Sequence, residues 1–188
     1  VRSDVDWFND PYESLGHSTG YIFAGNNAEI LIFLEAAAIA GEEKIEVTFA
    51  DKNKVPAYIK GMDYNTGLAV VAVSKDLLSE STAGAITYIS FGSSMQGNLL
   101  GKPVIALGNP LGKASVMYGM ITAQNSPLSM IDMNFELITT DIYGSSKGEG
   151  LLVDYNGNVL GVIYQKANEE DQKNLISALG ISELKPVL

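Results

Sequence analysis

Residues 140–162 read TDIYGSSKGEGLLVDYNGNVLGV. A strand ends in Thr140-Asp141, and a loop rich in Gly and Ser follows it. Then come an apolar triplet (Leu151, Leu152, Val153), the pair Asn156-Gly157, and a second apolar run from Val159 to Tyr164. An Asn-Gly pair between two apolar runs marks a tight hairpin, because such turns need residues that tolerate positive φ. The stretch is therefore read as strand, loop, strand, turn, strand.

The same rhythm extends in both directions. Upstream, Tyr21-Ile22-Phe23 and Glu29 to Leu34 are short apolar runs around the turn residues Gly25-Asn26-Asn27. Ile45, Val47 and Phe49 alternate with other residues, the period-two mark of a half-buried strand. Val55 to Met62, Leu68 to Val73, Val104 to Leu107, Ser115 to Ala123 and Phe135 to Thr139 complete the strands, and Ser79 to Gly84 reads as a polar linker. Trp7, Phe8 and Tyr12 lie among Asp, Asn and Pro near the start, which suggests an arm or short helix docking by its aromatics. Near the end, an acidic start and apolar Leu175, Ile176 and Leu179 predict a helix over Asn168 to Leu179, with a second beginning at Ser182-Glu183-Leu184. Many short strands with Gly-rich turns give an all-β sandwich or barrel.

Composition sets the outer limits. The chain has 188 residues, 46% of them hydrophobic, enough for one domain or two small subdomains with a substantial core. A net charge of −10 argues against nucleic acid and anionic membrane surfaces, which need basic patches. With no cysteine, disulfides, thiolate metal sites and cysteine nucleophiles are excluded. His17 is the only histidine, and Asp51, Asp63, Asp141 and Asp154 lack ligand spacing, so no metal site or cofactor is expected. No apolar run is long enough to span a membrane and no signal peptide is visible; the abrupt ends at Val1 and Leu188 read as those of an excised segment.

Five boxes in order carry a family resemblance. Ser18-Thr19-Gly20-Tyr21-Ile22 resembles a GSGfI opening, and Asp63 to Val71 resembles DxxxDlAvl. Ala106 to Gly112 (ALGNPLG) matches aiGNPlG, Gly119 to Ala123 resembles GivSa, and the opening stretch resembles a nucleophile loop containing GNSGGPL. Together these resemble trypsin-like serine proteases of the HtrA/Do (Deg) type. The resemblance implies two six-stranded β-barrels with an active cleft between them, here followed by the C-terminal helix. It divides the chain into an N-terminal arm (1–17), a first barrel (18–84), a second barrel (85–166) and a C-terminal helical segment (167–188). In that family a peptide-binding PDZ domain commonly follows, and one is expected to be missing from this segment.

The resemblance also places the catalytic positions. A serine hydroxyl needs a histidine base within hydrogen-bond reach and a carboxylate that orients the imidazole. By motif alignment the histidine slot falls on Glu35, the aspartate slot on Gly67 and the serine slot on Gly148. The oxyanion-hole amides would be those of Ser146 and Gly148, with Glu149 where the family has glycine. A slip of register could bring Ser145 or Ser146 to the nucleophile position, and Lys147 is then a conceivable base. The three slots are expected to converge. The chain is accordingly read as a catalytically inactive homologue that acts by binding a peptide or protein, or as a regulatory or scaffolding module. The alternative is an active serine peptidase with a displaced site. Extracytoplasmic placement and a homo-oligomer are carried by the resemblance alone.

Overall fold

A computed structural model describes residues 2–5, 11–14, 17–42, 44–95, 97–130, 133–168 and 172–188. The chain divides into two compact units, Val1–Tyr88 and Ile89–Leu188. In the first, strands β1 (Arg2–Val5) and β2 (Pro11–Ser14) pair as an antiparallel ribbon, in place of the arm or short helix that the aromatics suggested. Trp7 and Phe8 lie outside the described residues.

The rest of this unit is built on one antiparallel sheet. Its strands are β3 (Tyr21–Gly25), β4 (Glu29–Glu35), β5 (Ile45–Thr48), β6 (Lys54–Asp63) and β7 (Leu68–Ser74). Their spatial order is β3-β4-β7-β6-β5. The central strand, β7, is a continuous apolar run because both its faces are covered. Ile30, Ile32, Val55, Val71 and Val73 belong to the unit's buried core. Fully burying each such side chain stabilises by roughly 1.5–3 kcal/mol. Among the described residues this sheet has five strands and two free edges, β3 and β5, where the resemblance implied six strands.

Residues Ser79 to Gly84 are not a linker. Helix α1 (Glu80–Ala85) begins there, capped by the Ser79 side chain, which accepts from the Thr82 N–H. Thr82 is buried, its hydroxyl donating to Asp51 Oδ2 at 2.6 Å and accepting from Asn53 Nδ2 at 3.0 Å. The polar composition that suggested a linker is the composition of a capped, docked helix end. The hydrogen bond from Thr82, ahead of that from the Asn53 N–H, holds the Asp51 carboxyl below its usual pKa.

The second unit is built from β8 (Ser90–Phe91), β9 (Pro103–Asn109), β10 (Ser115–Met130), β11 (Met133–Tyr143), β12 (Glu149–Val153), β13 (Asn158–Ile163) and β14 (Leu175–Gly180). The order β12-β9-β10-β11-β14-β13 returns to β12 through a β12–β13 pairing and closes a six-stranded barrel. β8 adds to β13 in parallel. Val104, Ile121, Ile138, Leu152, Ile163, Ile176 and Ala178 fill it. The β12–β13 hairpin turns as the Asn-Gly pair requires: Gly157 has φ 81°, and Asp154 Oδ1 accepts from the Asn156 and Asn158 N–H groups.

The helix expected over Asn168 to Leu179 is not there. Leu175–Gly180 is β14, paired with β11 at Ile138↔Ala178 and with β13 at Ile163↔Ala178. Residues 169–171 lie outside the described residues. The stretch closes the barrel and so belongs to it rather than to a separate helical segment. A helix does follow: α2 (Ile181–Leu184) packs through Ile181 and Leu184, and it contains the Ser182-Glu183-Leu184 start read from the sequence.

Glu183, on α2, accepts from the Glu136 N–H at 2.9 Å. Burial raises its pKa above the usual 4.5. The folded state therefore holds that proton more tightly than the unfolded state does. This contribution is complete below the unfolded pKa and disappears as pH rises through the folded one. Glu183→Gln keeps an acceptor without the charge. The variant should be at least as stable as the parent at neutral pH, and its advantage should shrink as pH falls toward the carboxylate range. Urea melts at several pH values check this, and an advantage that grows on acidification would contradict it.

Candidate functional site

In the first unit the two assigned positions are neighbours. β4 ends at half-buried Glu35, whose register partner on β7 is Leu68, so Gly67 sits at the adjoining turn. The Ala36 N–H donates to the Gly67 carbonyl at 2.7 Å, and the Gly67 N–H donates to the Asp63 carbonyl at 2.9 Å. Asp63 organises this β6–β7 turn. Its Oδ1 accepts from the Asn65 N–H at 3.0 Å and its Oδ2 from the Thr66 hydroxyl at 2.8 Å. The turn puts Gly67 at φ 74°, a left-handed conformation that costs most L-residues about 1–2 kcal/mol. An aspartate tolerates it better than most, but its side chain would leave from a different backbone geometry than an extended residue's. His17 is exposed, just ahead of β3.

In the second unit, the loop joining β11 to β12 is a tight turn over 145–148. Ser146 and Lys147 are exposed at its tip, whereas Gly148 is buried. The Gly148 N–H donates to the Ser145 carbonyl at 2.8 Å, and the Lys147 N–H donates to Ser145 Oγ at 3.1 Å. The Ser145 N–H donates to the Pro110 carbonyl at 2.8 Å, tying the loop to the GNPLG segment. A Cβ built on Gly148 would lie 2.7 Å from the Pro110 carbonyl oxygen and 2.9 Å from that of Ser145. Both are backbone atoms, which do not swing aside. The space of a side chain at this position is already filled by main chain.

Glu149 follows, and its Oε1 accepts from Asn109 Nδ2 at 2.7 Å across the β9–β12 ladder. The asparagine of the GNPLG box thus anchors Glu149. Gln165, absent from the sequence reading, ties the other side. It is buried, and its Nε2 donates to the carbonyls of Ser145 (3.0 Å) and Leu175 (3.1 Å). Its Oε1 accepts from the Ser177 N–H at 3.0 Å. A glutamine after an apolar strand carries no signal of this in a single sequence. Among the described residues no cluster of three or more His, Asp or Glu could hold a metal ion.

The profile of the trypsin-like peptidase domain matches residues 19–162. The chain belongs to the trypsin-like peptidase family. Within it, the similarities run to the HtrA type. The serine protease Do-like HtrA of Bacillus subtilis (strain 168) is 27% identical over 180 residues, which cover 92% of this chain and 38% of that protein. A serine protease HtrA-like protein of Staphylococcus aureus (strain USA300) is 24% identical over 181 residues, covering 90% of this chain and 23% of its own length. The solved HtrA-type protease AlgW with decapeptide aligns at a TM-score of 0.66 and 24% identity, over 94% of this chain and 51% of that one. The chain thus spans about half or less of the length of these relatives.

In this trypsin-like domain, Gln165 is the part of the loop's support most open to test. Gln165→Ala would leave the buried Ser177 N–H short of a partner, at about 1–3 kcal/mol, and would release the Ser145 carbonyl from its side-chain tie, while the Leu175 carbonyl keeps Asn168 Nδ2 at 2.7 Å. The loop around Gly148 should then exchange its amide hydrogens faster than the barrel strands do. Unchanged exchange at Gly148 in the variant would show that Gln165 does not hold the loop.

Proposed function

We propose that this trypsin-like domain does not hydrolyse peptides and that it acts by binding a peptide or protein partner. The observation that carries this is the loop at Gly148. Its amide is committed to the Ser145 carbonyl, and main chain fills the space a nucleophile's side chain would occupy. An oxyanion hole works through amides aimed at the substrate oxygen, and an amide already bonded within its own turn is not aimed there. Two further observations support the reading. By the motif alignment Glu35, a carboxylate, takes the slot the family gives to its base, and Gly67, in the slot of the orienting aspartate, offers no side chain. The chain's one histidine, His17, is exposed ahead of β3.

A binding role draws on the relatives. AlgW has been solved with a decapeptide and with a tripeptide. The retained fold would keep such a surface after the chemistry is gone, as a regulatory or scaffolding module, in an extracytoplasmic setting and in a homo-oligomer as the family resemblance suggests. A fluorophosphonate probe, which labels an activated serine, tests the first half. Labelling of the folded domain at any serine would overturn it. Equilibrium binding to a random peptide library tests the second half, and no enrichment of any peptide would overturn that.

A further inference from the structure

We propose that the first unit binds an extended peptide as an added strand, in the gap between β3 and β5. This site rests on the peptide-binding half of the proposed function and gives that peptide a location. The sheet of the second unit closes at six strands, whereas that of the first stops at five, with β3 and β5 as free edges among the described residues. A cavity of about 500 Å³, within the range of ligand sites, is lined from both edges. Residues 44–50 all line it on one side, and residues 17, 18, 20 and 22 line it on the other. Successive residues of a strand point to opposite faces, so a space over one face meets only every second one. A space that meets all of 44–50 therefore borders the edge of β5 itself.

The hydrogen-bonding groups of that edge follow from the register. β5 pairs with β6 at Val47↔Val55 and Thr48↔Lys54, and just beyond them the Phe49 N–H donates to the Asn53 carbonyl at 2.9 Å. Bonded and non-bonded positions alternate along an antiparallel pair. Ile45 and Val47 therefore bond to β6 as Phe49 does, and Glu46 and Thr48 turn their N–H and C=O groups to the free side. Pro56, opposite Glu46, has no N–H to offer and fits this parity. On the core side Ile22, Ile45, Val47 and Phe49 are only partly buried, and every second side chain of an added strand would cover them. Glu42 and Glu46 line the cavity together with Lys44 and Lys54, and the buried Ser18 hydroxyl oxygen has no hydrogen-bond partner among the described residues. Such a lining selects neither an anion nor a cation. It suits a main chain, which brings donors and acceptors together and adds to a sheet edge as a strand. A second folded copy fits less well, because any strand it offered would bring its own sheet into the gap.

The test starts from a random heptapeptide library displayed on phage and panned on the folded domain. The most enriched peptide is then synthesised with each central amide N-methylated in turn. Alternate positions should lose affinity about tenfold or more, because only every second N–H faces β5. Thr48→Pro removes an outward N–H and leaves the β6 ladder intact, as proline on an edge strand does. It should keep the fold by circular dichroism and weaken the peptide about tenfold or more. N-methylation tolerated at every position, or a folded Thr48→Pro that binds as the parent does, would overturn the added strand and leave peptide binding in place. No enrichment by the parent would overturn both. Self-association of the parent that Thr48→Pro abolishes would give the gap to a second copy and overturn the peptide. If Thr48→Pro fails to fold, the N-methyl scan on the parent decides alone.

Discussion

Restoring a serine at position 148 should not restore activity, and it should cost stability. Gly148→Ser places a Cβ within 3 Å of two backbone oxygens, from Pro110 and Ser145. Overpacking of this kind typically costs 1–3 kcal/mol. On the proposed slot assignment the hydroxyl would also have no base, since that assignment gives the histidine position to Glu35. In this chemistry nucleophile and base act as one unit, and losing either costs about 10⁶ in turnover. Adding Glu35→His supplies the base, but without an orienting carboxylate about 10⁴ is still missing. Gly67→Asp supplies that carboxylate from a left-handed turn rather than an extended strand. The triple variant is therefore expected to fold less stably than the parent and to leave casein uncut. Casein cleavage by the parent, blocked by a serine-directed inhibitor, would refute the inactive reading outright. Cleavage by the triple variant alone would show that the slots are correctly assigned and that the loop at 145–148 reopens.

Gly150→Ala should unfold or severely weaken the second barrel. Gly150 has φ 140°, and a Cβ there would sit 2.0 Å from the Leu107 carbonyl oxygen. Gly150 faces Gly108 in the β9–β12 ladder, so a methyl group forces apart two strands of the closed barrel. A loss of at least about 3 kcal/mol is expected, in the class of severe overpacking. Gly157→Ala is the matched control. Its φ of 81° is also left-handed, but its Cβ would meet nothing within 4 Å. That change should cost only about 1–2 kcal/mol, the price of the conformation. Guanidinium melts of both variants check the contrast, and equal losses would show that the ladder clash is absorbed.

The strand rhythm was legible because most strands here are half-buried or bounded by turn residues. Ile45 and Val47 alternate as one face of β5 does, with Phe49 just beyond its end, and Asn156-Gly157 marks the turn of the β12–β13 hairpin. β14 was not legible. Its residues from Ile176 to Gly180 are buried throughout, so the alternation that marks a strand is absent. Leu175, Ile176 and Leu179 then fit a helical spacing equally well, as short apolar runs do. Ser79 to Gly84 failed in the opposite sense, since Ser and Thr serve caps as readily as linkers. At the candidate site, side-chain identities could be read directly, including the absence of a second histidine. Backbone states could not. The left-handed turn at Gly67, the inward amide of Gly148 and the hold of Gln165 depend on partners distant in sequence, and no local pattern encodes them.

β14 has a consequence for the order of synthesis. A chain made from its N-terminus presents β9 to β13 first, and the strand that bridges β11 and β13 arrives only with residues 175–180. Until then both neighbours carry open, apolar edges of the kind that recruit strands from other chains. Translation delivers about 5–20 residues per second, so this exposure lasts far longer than local hairpins need to form. The second unit should therefore depend on a holding chaperone during synthesis, and a chain interrupted before Leu175 should aggregate rather than persist as a partial barrel.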